Sequence, residues 1–405
     1  MIDQLTRPDT IPLVQCAQEN EFDSSVLLER ARALRPQILA CRDHIERDRR
    51  LPPALLSALT EADLFRLLTP RALGGLEVDP FTAFRVIQEL ARADGAAGWA
   101  VAIGNSGFFA AWLDDEAGEE IVGPDPSAPG GGVLAPAGRA TIVPGGYQVT
   151  GRWQFASGCQ YSTWLLGGCV VYDGEQLCGG ADGEPETRIL FFPRADCEII
   201  DTWSACGLRG SGSHDFAVHD VFVPLRRSFS RTDSPVQPGP LYRVPLRALL
   251  ASVLAAVPLG IAHGAIEALI ELGATKKPSG SRGFLRDRAV VQAELARAEA
   301  LVRSGRAFLF ETLSEAWVEV VAGRAVSLQQ HASLRLAATH ATVCAAQAVD
   351  LMYQAGGGSS VYTNSWLERA FRDVHVATQH MVFAPATYET VGRALFGLEP
   401  GVPNF

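Results

Sequence analysis

Trp366-Leu-Glu-Arg-Ala-Phe-Arg-Asp-Val-His-Val-Ala-Thr-Gln-His380 is the stretch from which the rest of the chain can be read. Leu367, Ala370, Phe371, Val374 and Thr378 recur at three- and four-residue intervals, which lays one apolar stripe along a helix. Glu368 stands four residues before Arg372, the favourable order for an intrahelical ion pair. Upstream, Gly356-Gly-Gly358 ends the preceding helix and permits close backbone approach. Two imidazoles, His375 and His380, follow the Arg372-Asp373 pair. Histidine has the side-chain pKa nearest neutrality and is the usual carrier of protons. His375 reads first as a satisfied or solvated helix residue. His380, where the pattern fades ahead of Pro385, is open to a structural or a functional reading.

Working outward, the period stays helical back to about Leu241. Leu246 to Leu272, Asp287 to Val321, Ser327 to Ala355 and Ser365 to Gln379 predict four long helices with short connections, an antiparallel bundle. Before it, alternating segments predict strands: Tyr147-Gln-Val-Thr150, Trp164 to Tyr172, Arg188 to Phe192, Cys197 to Ile200 and Phe216 to Val223. Gly, Asp and Pro turns separate them, as in a compact barrel or sandwich. Pro and Gly crowd residues 124–146. Residues 21–123 are helical again: Val26 to Cys41 marks one face, Pro52-Pro53 starts a helix, and Asp79-Pro80 caps the next. The expected division is a loose arm over 1–20, a helical domain over 21–125, a β-domain over 126–238, and a bundle with its tail over 239–405.

The 405-residue chain is 47% hydrophobic and 20% charged, ordinary for a globular protein. A net charge of −10 argues against nucleic acid and anionic membrane surfaces as partners. Met1-Ile-Asp-Gln4 lacks the basic and apolar regions of a signal peptide, so a cytoplasmic location is expected. The apolar run Ala248 to Ile266 carries Pro258, Gly260 and His263, which fits a bundle core better than a membrane span. Eight cysteines without a C-x-x-C pair read as buried thiols. His214-Asp215 and His219-Asp220 would point to opposite faces of a strand, so no metal site is expected.

Five segments in order resemble the acyl-CoA dehydrogenase fold. They are Pro70-Arg-Ala-Leu-Gly-Gly75, Tyr147-Gln-Val-Thr-Gly-Arg-Trp-Gln-Phe155, Gly207-Leu-Arg-Gly-Ser-Gly-Ser213 with Val221-Phe-Val-Pro224, Gln354-Ala-Gly-Gly357, and Arg372-Asp373. The resemblance spans roughly residues 22 to 397 and implies a mostly α chain with a central β-domain, assembled as a homotetramer. One departure stands out. Dehydrogenases of this fold take a proton with a Glu about nine residues past the Arg-Asp pair. Here that place is Met381, and no Glu occurs between Glu368 and Glu389. A relocated base, Glu267 or Glu271, keeps an acyl-CoA dehydrogenase-like FAD enzyme as the rival reading.

Phe155-Ala-Ser-Gly158 with Trp164, and Arg372 to His380, are similar instead to the oxygenase components of two-component flavin-dependent monooxygenases. That group includes p-hydroxyphenylacetate hydroxylase, dibenzothiophene monooxygenase and indole-oxidising relatives. The resemblance implies reduced flavin (FADH2 or FMNH2) from a separate NAD(P)H:flavin reductase, O2 as co-substrate, and an aromatic substrate oxygenated through a flavin C4a-hydroperoxide. It implies Ser157 and His380 as catalytic residues. Leu134, Pro136, Phe155, Ser157, Arg282, Gln292 and Gly357 would bind the cofactor, with Arg282 reaching a flavin phosphate of a neighbouring subunit. Such a site must be apolar and closed. Phe108, Trp112 and Trp164 are expected to wall it, with Met381 beside His380, and Asn105 or Tyr161 supplying polar contacts where other members carry histidines. Oxygenation of an amine nitrogen is a variant of the same chemistry, and a non-catalytic ligand-binding member of the fold is a further alternative.

Overall fold

The computed structural model describes residues 24–180 and 183–401. The arm expected over residues 1–20 lies outside them. The first helical stretch is two helices, α1 (Ser24–Ala33) and α2 (Arg35–Asp48), because Pro36 sits in the first turn of the second and cannot continue the first. Then follow α3 (Pro53–Glu61), α4 (Pro80–Ala93), α5 (Gly95–Gly104) and α6 (Asp115–Ile121). Asp79 caps α4 by accepting from the Phe81 and Thr82 amides, as its place before Pro80 predicts.

The central region is one eight-stranded sheet: β1 (Gly131–Val143), β2 (Gly146–Ala156), β3 (Trp164–Asp173), β4 (Gln176–Leu177), β5 (Thr187–Pro193), β6 (Glu198–Ile200), β7 (His214–Pro224) and β8 (Ser228–Ser230). Its order is β6-β7-β2-β1-β3-β5-β8, with β4 on β3. β1 pairs antiparallel with β2 and parallel with β3. The path is open, yet the sheet curls on itself: Phe192 of β5 and Phe216 of β7 approach to 6.4 Å across Trp153, which is fully buried. This is a second core beside the helical one. β1 runs through the stretch whose Pro and Gly content reads as loop. It survives there by bulging, with register shifts between Val133, Pro136 and Gly138.

The helical half comprises α7 (Leu246–Leu254), α8 (Ala256–Thr275), α9 (Ala289–Val321), α10 (Leu328–Gly356), α11 (Trp366–Ala377) and α12 (Ala386–Leu395). The stretch 246–275 is long and apolar enough to cross a membrane, but 89% of its most apolar window is buried within the fold. It is the core helix of the bundle and also packs on α4. Gly260 makes that possible, since a Cβ there would meet the Gln88 carbonyl oxygen at 2.4 Å.

One buried charge network ties the three regions together. Arg369 on α11 stands 2.8 Å from Asp94, 3.8 Å from Asp373 and 3.6 Å from Glu46. Asp94 caps α5 through the Ala97 amide, and Asp373 accepts from the Leu208 amide at 2.6 Å. Gly207 is the close approach: a Cβ there would lie 2.3 Å from the Arg372 carbonyl oxygen. Burial pushes the Asp373 carboxyl up to about 7, and Asp94 competes with it for Arg369. Glu368 and Arg372 form the expected intrahelical pair at 2.6 Å.

Candidate active site

β2 ends in a bend that presents its last residues to solvent. Phe155 has φ +65°, rare for a bulky residue, and its side chain is 68% exposed. Ser157 follows, buried, with three polar contacts around it. The Trp99 indole N–H donates to its Oγ at 3.0 Å. Its Oγ also bonds the Ser213 hydroxyl at 2.7 Å, and Ser213 bonds Ser211 at 2.7 Å. The 207–213 loop that supplies both serines is the one held by Asp373.

Trp99, on α5, also meets the end of the opening sequence stretch. Its ring lies edge-on to His380, with centroids 5.5 Å apart. The two candidate catalytic residues, 223 positions apart in the chain (380 − 157), therefore share one tryptophan. Burial pushes the His380 imidazole down to about 4, so it is neutral at physiological pH. Its Nδ1 accepts from the Val382 amide at 3.4 Å, which leaves Nε2 to carry the ring proton of the neutral form. His375 pairs with Asp350 at 2.9 Å on the half-exposed face of α11.

The other sequence-expected residues divide into groups. Leu134 and Pro136 lie in the β1 bulge, where the ladder to β3 is interrupted, and the Leu134 carbonyl accepts from Arg231. Tyr161 packs its ring against Gly158; its hydroxyl is sealed and has no hydrogen-bond partner among the described residues. Met381 is 62% exposed beside His380. Arg282 is exposed on the loop before α9, Gln292 in the first turn of α9 donates to the Arg286 carbonyl, and Gly357 stands at φ +57° just past the end of α10.

Asn105, Phe108, Trp112 and Trp164 are engaged as follows. Asn105 is fully buried, takes the Leu68 amide and donates to the Leu64 and Val101 carbonyls. Its amide is a brace between loop and helix, with no group left for a substrate. Phe108 and Trp112 belong to an aromatic cluster with Tyr242 and Phe229, in the same core as Trp99. Trp164 borders a separate cavity of about 30 Å³ with Ser106 and Phe191, room for a water only.

The paired His-Asp motifs are engaged elsewhere. His214 Nδ1 accepts from the Thr202 and Trp203 amides, Asp215 pairs with Arg152, and His219 faces Glu198. The relocated base of a dehydrogenase is not on offer either: Glu267 is paired with both Arg35 and Arg92, and Glu271 is exposed.

Residues 25–120 match the acyl-CoA dehydrogenase N-terminal domain, and residues 252–385 its C-terminal domain. An indole-3-acetate monooxygenase of Pseudomonas putida is 33% identical over 88% of this chain and 90% of its own. The chain belongs to the acyl-CoA dehydrogenase family. Within it, the chain is a flavin-dependent monooxygenase. The oxygenase subunit HsaA of Mycobacterium tuberculosis, itself a flavin-dependent monooxygenase, is 30% identical over 94% of this chain and 97% of its own. XiaF from Streptomyces, solved with FADH2, superposes with a TM-score of 0.84 at 27% identity, covering 94% of this chain and 98% of that one.

The residues present fit a flavin. The β1 bulge leaves backbone groups outside the ladder to β3, Pro136 and Phe155 are exposed, and the Ser157 hydroxyl stands just past the end of β2. Sequence reading had Ser157 and His380 but missed Trp99, Ser211 and Ser213 as members of the site. The available signal was a serine-rich Gly207–Ser213 loop and the only tryptophan of a small-residue helix.

Proposed function

We propose that the chain is the oxygenase component of a two-component system that hydroxylates an aromatic or heteroaromatic small molecule. The observation that carries this is Trp99, which holds the Ser157 hydroxyl and packs against a neutral, half-buried His380. The relatives support it, being named for an arylacetate or as an oxygenase subunit. A separate NAD(P)H:flavin reductase supplies the reduced flavin, FADH2 or FMNH2. The exposed Arg282 suits the phosphate of a neighbouring subunit's flavin, in a homotetramer working in the cytoplasm.

Bound reduced flavin supplies two electrons and the carbon at which O2 is activated. One oxygen atom enters the substrate and the other leaves as water. The protein's part follows from its donors. Trp99 only donates, so the Ser157 oxygen accepts from it and keeps its own proton to give away. The Ser213 hydroxyl can take that proton or give its own. A ligand atom in front of the strand can take it instead, because Ser213 has Ser211 to turn to. His380, neutral across physiological pH, can offer its Nε2–H to a phenol oxygen and so orient the ring. The buried faces of Trp99, Val382 and Phe383 keep water away.

The test is turnover with NADH, a flavin reductase and ¹⁸O2 against a panel of phenols and indoles. A product carrying one labelled oxygen supports the reading. Loss of flavin colour on adding acyl thioesters, with no labelled product from any ring, would replace it by the dehydrogenase reading.

A further inference from the structure

Three arginines from distant parts of the chain converge beside this site without a counter-charge. Arg231 donates to the Leu134 carbonyl in the β1 bulge. Arg335, on α10 and only 7% exposed, reaches the Thr387 hydroxyl at 3.2 Å and the Val382 carbonyl at 3.5 Å, while its Nε is buried with no hydrogen-bond partner. Arg247 is on α7, which packs on α10 and on the 381–383 turn. Burial lowers all three, and the Arg247 charge lowers the other two further, Arg335 to about 10. No carboxylate pairs with any of them among the described residues. The buried Arg369, by contrast, has Asp94 at 2.8 Å. Burying cations together costs stability unless something anionic joins them.

We propose that Arg231, Arg247 and Arg335 recognise an oxyanion carried by the aromatic substrate, a carboxylate, while its ring lies at His380. The inference rests on the oxygenase reading and names the substrate class within it. The placement favours it. The cluster touches the Leu134 carbonyl in the β1 bulge on one side and the Val382 carbonyl, two residues past His380, on the other. Planar guanidiniums suit carboxylate oxygens, and three of them exceed what packing requires.

The test is equilibrium binding to the anaerobic FADH2-loaded protein of two probe pairs, indole-3-acetate against 3-methylindole and p-hydroxyphenylacetate against p-cresol. The carboxylate of at least one pair should bind about ten- to a hundredfold tighter, and Arg247→Gln should shrink that gap to about threefold or less. The same variant should melt at a higher temperature without ligand, because one of three mutually repelling charges is gone, an effect that a merely structural arginine would not give. Equal affinities within both pairs, or a gap that survives both Arg247→Gln and Arg335→Gln, would overturn the proposal. So would a variant that loses affinity for FMNH2 but not for reduced riboflavin, since the oxyanion would then be the cofactor's phosphate. Oxygen reactivity of reduced flavin on the wild-type protein, with no probe present, reports separately on the oxygenase reading.

Discussion

Two clusters of buried charge differ in one respect. Around Arg369, the carboxylates of Asp94, Asp373 and Glu46 answer the cation, Glu46 being shared with Arg372 and Arg209, and the acids are tied to a cap, a loop or a helix. Around Arg247, three cations gather with no carboxylate. The first cluster holds the three regions of the chain in register. The second is a cost to the empty protein. A charge that the fold answers is architecture, and a charge that it leaves unanswered waits for something that is not protein.

The largest effect should come from the first cluster. Arg369→Met leaves Asp94 and Asp373 buried without their cation and should destabilise the protein by about 3–5 kcal/mol in urea unfolding, whereas Arg247→Gln should not destabilise it. Equal losses in both variants would erase the distinction. Next comes His380: replacing it by Asn should lower product formation about 10²–10⁴-fold, read as labelled product per flavin oxidised, with little change in flavin affinity.

Acid then separates the clusters from the site. The folded pKa of His380 is about 4 against an ordinary 6.5, so the unfolded chain binds more protons between those values. Stability should fall as pH drops from about 6.5 to 4, with His380 accounting for about 3 kcal/mol, and His380→Asn should flatten that fall in pH-dependent melting. His331, also held near 4 by burial, contributes in the same direction and remains in the variant. The smallest effect is expected at Trp99→Phe, which keeps the ring against His380 but removes the donor to Ser157. It should cost about tenfold in coupling of flavin oxidation to product and about 1 kcal/mol of stability. A fully coupled Trp99→Phe enzyme would remove Trp99 from the site.

Much of the fold was legible because it was written locally. The Asp79-Pro80 cap, the Glu368–Arg372 pair and the Gly356-Gly-Gly358 stop each need only a few neighbouring residues. β1 was not legible, because Gly130 to Pro136 argues for a loop and only pairing with β2 and β3 makes it a strand. α12 was missed because Pro385 reads as an end, whereas it stands at the helix's start. Within the site, Ser157 and His380 came from a resemblance, and the bracing bonds of Asn105 were not legible because its partners Leu64 and Leu68 are distant in the chain. The arginine cluster draws on positions 231, 247 and 335 and exists only in three dimensions. Its one local trace is Arg335, a lone arginine in a helix without an acid before Asp350.

The most direct test of the central claim is stopped-flow mixing of the anaerobic protein–FADH2 complex with oxygenated buffer, followed in the near ultraviolet for wild type and Ser157→Ala. The account predicts two resolved phases in the wild type, the second much slower than reoxidation of free flavin, and a shortened second phase in Ser157→Ala. A single phase as fast as free flavin in the wild type, or identical traces for the two proteins, would contradict the role given to the Trp99-held hydroxyl.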